Sequence, residues 1–152
     1  MELKSYQKEV IADLAHYLEL VVKLQSPAKA YQTFWNEKNV VVGLGGMPDY
    51  VNVLPGVPHV CAKAPTGGGK TYIAASSLRT IFDAMPQRRA KAAVWLVPSE
   101  AILAQTRKAL ENPDHPYRQR LDVDFGGRVQ VYSKEQALLG QNFTPSAIME
   151  QL

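Results

Sequence analysis

Hydrophobic positions near the start of the chain recur at three- and four-residue steps: Tyr6, Val10, Leu14, Tyr17, Leu18, Val21 and Val22. This spacing lines up one apolar face and predicts a helix. Pro27 stops it, because proline lacks the N–H that a helix interior requires. A second, shorter helix is predicted through Tyr31, Phe34 and Trp35. From Asn39 to Pro58 the pattern breaks up. Val40-Val41-Val42 has the composition of a strand, but Gly43-Leu44-Gly45-Gly46 and Pro48, Pro55 and Pro58 punctuate it. A hairpin or an ordered loop is expected there.

From His59 onward, short apolar runs alternate with amphipathic stretches. His59 to Ala64 is a short apolar run, and a helix is predicted from Lys70 to about Met85. Pro86 with Arg88, Arg89 and Lys91 marks a turn. Ala92 to Val97 reads as a buried strand by length and β-branched content, and it leads into a helix faced by Ile102, Leu103, Thr106 and Leu110. Asn112 to Pro116 is rich in turn formers, and Arg128 to Tyr132 alternates as a strand does. Thr144-Pro145 suits the cap and first turn of a last helix. Strands separated by helices imply right-handed crossovers and a parallel sheet. The expected class is α/β.

Bulk composition narrows this little. A chain of 152 residues is about one domain. It is 46% hydrophobic and 20% charged, as ordinary globular proteins are. A net charge of +3 is compatible with nucleic acid but does not argue for it. The single cysteine, Cys61, excludes a disulfide framework or a cysteine metal cluster within one chain and suits a reducing, cytoplasmic setting. Apolar stretches are interrupted well short of the roughly 20 residues that span a membrane. The first residues lack the apolar run of a secretory signal.

The chemistry lies in Ala64-Pro65-Thr66-Gly67-Gly68-Gly69-Lys70-Thr71, between a predicted strand and a predicted helix. Consecutive glycines free the backbone of side chains, so its N–H groups can surround phosphate oxygens. The start of the following helix adds partial positive charge at the same place. Lys70 can reach the β- and γ-phosphates, and the Thr71 hydroxyl is placed to coordinate Mg²⁺. ATP and Mg²⁺ are the expected cofactors, with Pro65, Thr66, Gly67, Gly68, Gly69, Lys70 and Thr71 binding them and Lys70 acting on the transferring phosphoryl group. The Gly43–Gly46 cluster lacks the spacing of a dinucleotide-binding fingerprint and reads as a turn.

With this loop in view, the sequence resembles the first motor domain of superfamily-two helicases, where Ala commonly opens the loop and Thr-Gly-x-Gly-Lys-Thr closes it. Among these it is most similar to the Res subunit of type III restriction enzymes and related DEAD/DEAH-type proteins. Leu3-Lys4-Ser5-Tyr6-Gln7 is similar to the family's upstream Tyr-Gln motif. The resemblance implies that the Gln7 amide reads the adenine edge, and its one donor and one acceptor group suit that task. Leu96 to Thr106 resembles the family's motif Ia, which implies that Pro98 and Ser99 touch the DNA backbone. Ser99 also suits a plain helix cap.

The resemblance implies a P-loop NTPase of RecA-like form, a parallel sheet flanked by helices, of which the chain is the N-terminal part of the first motor domain. On this reading 1–25 holds the Gln-motif helix, 26–58 is an insertion, and 59–152 is the P-loop core. DNA is the implied partner, together with a second motor domain and a DNA-modification or specificity subunit. Arg88, Arg89, Lys91, Arg107, Lys108, Arg118 and Arg120 could widen a DNA-facing surface, although such clusters are usually solvated faces.

No Asp-Glu-x-His or Asp-Glu-Ala-Asp sequence occurs in the chain, so the carboxylate pair that such motors use on metal and water is missing. The chain reads as a fragment of an ATP-dependent DNA helicase or translocase. A P-loop nucleotide-binding protein without DNA motor activity, such as a small kinase, is the alternative, and an interaction module without nucleotide affinity is a third. The fragment reading predicts nucleotide binding with little ATP turnover by the isolated chain. Robust phosphate release that disappears in Lys70→Ala would overturn it.

Overall fold

Six helices account for the regular structure among the described residues, which in this computed structural model are 2–84 and 91–140. They are α1 (Ser5–Leu24), α2 (Pro27–Glu37), α3 (Lys70–Asp83), α4 (Glu100–Glu111), α5 (Pro116–Phe125) and α6 (Lys134–Leu138). The chain divides into two units, Glu2–Gly68 and the residues from Gly69 onward.

In the first unit α1 and α2 pack together. Helix α1 ends at Leu24, with Gln25 in the left-handed region at φ 50°, and Ser26 caps α2 by accepting a hydrogen bond from the Lys29 N–H. Pro27 therefore opens the second helix, at the position where its missing N–H is harmless. The far end of α2 returns to the middle of α1, where Lys38 Nζ lies 2.7 Å from Asp13 Oδ1 and Glu37 pairs with His16. The two helices are thus antiparallel. Tyr17, Leu18, Leu20, Ala30 and Phe34 are buried. Burial first, and the neighbouring Tyr50 second, raises the pKa of Tyr17 above its ordinary value. The phenol keeps its proton and donates it to the Pro27 carbonyl at 3.3 Å.

The stretch after α2 is an ordered loop. Val42 and Met47 form an isolated bridge across the Gly43–Gly46 turn. The Tyr31 hydroxyl donates to the Pro48 carbonyl at 2.8 Å. The Tyr50 hydroxyl donates to the Val57 carbonyl and accepts from the His59 N–H.

The second unit is built on α3, α4 and α5. Ala75, Leu110 and Leu121 form its buried centre, with Leu78, Trp95, Tyr117, Phe125, Val129 and Val131 packed around them. Arg118 ties this unit together. Its guanidinium donates to the Asp122 carboxylate at 2.8 Å, to the Leu110 carbonyl at 3.3 Å and to the Val129 carbonyl at 3.0 Å.

The expected parallel sheet is not present among the described residues. Among the described residues there is no strand ladder, so the α/β assignment is corrected to a helical one. Residues 59–64, 92–97 and 128–132 run without helix or strand pairing. The reason is visible in their packing. Trp95, Val129 and Val131 satisfy the drive for apolar burial against the helices, while Val94 and Leu96 stay 86% and 87% exposed. Apolar, β-branched composition favours extended backbone, but a strand also needs a neighbour to complete its ladder. The turn at Pro86, Arg88 and Arg89 and the helix at Thr144-Pro145 lie outside the described residues. No helix among the described residues is long and apolar enough to cross a membrane.

Leu121 is 4% exposed at the centre of the second unit. Leu121→Ala is therefore expected to destabilise the protein by about 2–4 kcal/mol. Urea denaturation followed by circular dichroism checks this, and a shift below about 0.5 kcal/mol would contradict the assigned core.

Candidate nucleotide-binding site

Ala64 to Gly68 close the first unit and Gly69 opens the second. The Gly68 N–H donates to the Pro65 carbonyl at 3.0 Å, which closes a β-turn over Thr66 and Gly67. Gly67 sits at φ +73°, where a side chain is strained. Gly68 is required for a different reason. A Cβ there would lie 2.8 Å from the Pro65 carbonyl oxygen and 3.2 Å from its ring carbons. Gly69 follows at φ 70°, ψ 39° as the N-cap of α3, and its carbonyl accepts the Ile73 N–H. Lys70 and Thr71 are then the first two residues of α3.

The first turn of α3 carries no carboxylate of its own to offset the partial positive charge at this end. Left-handed glycines ahead of such a helix start, followed at once by Lys70 and Thr71, fit a phosphate chain. A Mg²⁺ ion there would be held mainly by phosphate oxygens and one hydroxyl, which suits Thr71 and does not call for a carboxylate cage. Among the described residues no group of three or more His, Cys, Asp or Glu could hold a metal by itself.

Gln7 lies against this loop. It is 2% exposed, and its amide is engaged at both ends. Oε1 accepts the Lys4 N–H at 2.9 Å, closing the first turn of α1. Nε2 donates to the Gly68 carbonyl at 3.0 Å, with the Tyr6 hydroxyl 3.4 Å away. The Tyr6 hydroxyl donates to the same carbonyl at 2.6 Å. Two side chains from the start of α1 thus converge on one backbone oxygen in the middle of the glycine run. Sequence reasoning gave Tyr6 no role. The signal available was its place beside Gln7 in the Tyr-Gln pair.

Pro98 and Ser99 are exposed at the start of α4. The Ser99 hydroxyl accepts the Ile102 N–H at 3.4 Å, and Glu100 places a carboxylate in the same turn. Three arginines of α4 and α5 are paired with carboxylates. Arg107 meets Glu111 at 2.7 Å, Arg118 meets Asp122 at 2.8 Å and Arg120 meets Asp124 at 2.8 Å. Lys91 lies 5.8 Å from the centre of the Phe82 ring.

The pattern of the family described as type III restriction enzyme, res subunit, matches residues 1–142. No curated protein and no solved structure matches the chain.

Gly68→Ala puts a methyl group against the Pro65 carbonyl, so the turn must open. A cost of about 1–3 kcal/mol is expected. Thermal denaturation checks this, and a melting temperature equal to that of the unaltered chain would contradict the close approach.

Proposed function

The chain belongs to the family of the type III restriction enzyme res subunit, a family with a helicase-like ATP-binding domain, and we propose that it binds the ATP of a DNA-tracking motor. The observation that carries this is the loop Ala64–Thr71, whose left-handed glycines lead directly into the start of α3, where the first turn holds no carboxylate.

In this reading the backbone N–H groups of Gly67, Gly68 and Gly69 surround the phosphates. Lys70 contributes a point charge at the β- and γ-phosphates and stabilises the charge that develops there during transfer. Thr71 offers its hydroxyl to Mg²⁺, which when bound neutralises phosphate charge. Gln7 selects adenine. The Nε2–Tyr6 contact at 3.4 Å is the loosest of its bonds, and Oε1 has a second lone pair beyond the one used by Lys4. These are the donor and the acceptor that an adenine edge takes. Pro98 and Ser99 contact the DNA backbone at the start of α4, where Ser99 and exposed N–H groups can hold a phosphate.

A second reading, nucleotide binding without DNA tracking, is favoured by one observation. Arg107, Arg118 and Arg120 are each matched by a carboxylate one helical turn away, which leaves less unneutralised charge for a DNA surface. The dependence of nucleotide affinity on added duplex DNA separates the two.

Lys70→Ala should weaken ATP binding at least about tenfold, the equivalent of one charge-assisted hydrogen bond of about 1.5 kcal/mol. Titration of a fluorescent ATP analogue into both proteins measures this. Equal affinities would remove the nucleotide-binding proposal.

A further inference from the structure

The Gly68 carbonyl holds more than a tight turn requires. It accepts from the Tyr6 hydroxyl at 2.6 Å and from Gln7 Nε2 at 3.0 Å. Gly68 itself is buried, and the Gln7 amide is fixed from behind by the Lys4 N–H. In a trans peptide the carbonyl of one residue and the N–H of the next point in opposite directions. Fixing the Gly68 oxygen toward α1 therefore aims the Gly69 N–H the other way. That N–H stands directly ahead of Lys70 and Thr71, among the groups proposed to receive phosphate.

We propose that Tyr6 and Gln7 are positioning residues that fix the Gly68–Gly69 peptide, so that affinity for a triphosphate of any kind depends on them, independently of the base attached to it. The inference rests on the nucleotide-binding reading and deepens it. The physical need is clear. A peptide between two glycines has almost no steric barrier against turning over. Reversing it would present a carbonyl oxygen to the phosphate, replacing attraction by repulsion. Two hydrogen bonds to one oxygen, one of them short, hold the productive orientation before any ligand arrives. Preorganisation of this kind raises affinity by removing an ordering cost from the binding step.

The inference separates from base reading by its ligand profile. A residue that only reads adenine alters the preference for ATP over GTP and leaves inorganic tripolyphosphate untouched. A residue that fixes the peptide alters all three by a similar factor.

The experiment measures ATP, GTP and tripolyphosphate binding to the full chain by calorimetry, with Tyr6→Phe, Gln7→Ala and Lys70→Ala beside the unaltered protein. Hydrogen exchange of the Gly69 amide is followed without ligand. Tyr6→Phe removes one hydroxyl and keeps the ring, so it guards against loss of fold, which circular dichroism checks. The expected result is a loss of about five- to tenfold for all three ligands in Tyr6→Phe, with faster exchange at Gly69. Gln7→Ala should show a comparable loss for tripolyphosphate. If Lys70→Ala loses binding while Tyr6→Phe binds tripolyphosphate as the unaltered chain does, the positioning role is overturned and the nucleotide site stands. If the unaltered chain binds none of the three, or Lys70→Ala binds them equally well, the nucleotide reading fails and the positioning role with it.

Discussion

The Gly68 carbonyl is the constraint on which the site depends. A run of three glycines has the largest conformational freedom the backbone allows, and ordering it is correspondingly costly. The structure meets that cost locally. Pro65 closes the turn from one side through the Gly68 N–H, and Tyr6 and Gln7 take the carbonyl from the other. Both polar groups of Gly68 are thereby satisfied inside the protein, as a buried backbone requires. The same amide that clasps the loop also closes the first turn of α1. One side chain thus links the helix start to the loop.

Much of the helical framework was legible in the sequence, for physical reasons that differ from helix to helix. Helix α1 shows a long three- and four-residue repeat, and α3 and α4 open on residues suited to helix starts, glycine and serine. Helix α5 was overlooked, although Tyr117, Leu121 and Phe125 stand at four-residue steps. Its Pro116 was absorbed into a turn signal, when it is in fact the first helical residue behind the His115 cap. Helix α6 was also missed. It is short, and its signal is local, a Ser133–Gln136 capping box.

The sheet was the principal misreading. Ala92 to Val97 is apolar on both faces, the composition of a strand buried between layers. The structure uses only one of those faces, turning Trp95 onto the helices and leaving Val94 and Leu96 exposed. Composition reports the tendency to extend and to bury. It does not report whether a pairing partner lies alongside, and a ladder is a property of at least two segments. The signal of the glycine loop is of a different kind, covalent and local. Glycines, a lysine and a threonine in fixed succession are read directly from the chain, wherever the surrounding apolar runs settle. For Tyr6 the sequence offers its place beside Gln7, and the fold adds its hydrogen bond to the Gly68 carbonyl.

Helices α3 and α4 offer a comparison that bears on where phosphate binds. Both begin with N–H groups that have no acceptor within their own helix, and with the positive end of a helix dipole. At α4 this end is already served. The Ser99 hydroxyl accepts the Ile102 N–H, and Glu100 brings negative charge into the first turn. At α3 the cap is a glycine with no side chain to offer, no carboxylate follows, and a lysine occupies the first helical position. The end without a carboxylate in its first turn is thus the one preceded by a clasped glycine loop. An anion competing for both would find one donor at α4, the Ile102 N–H, already taken. Any phosphate of DNA held at Ser99 must share that turn with Glu100, so contact there is weak for each phosphate and gains strength only when repeated along a strand. On the proposed reading, a triphosphate at α3 meets no carboxylate in the first turn, whereas a phosphate of DNA at Ser99 meets Glu100, so the nucleotide is the better matched of the two proposed ligands.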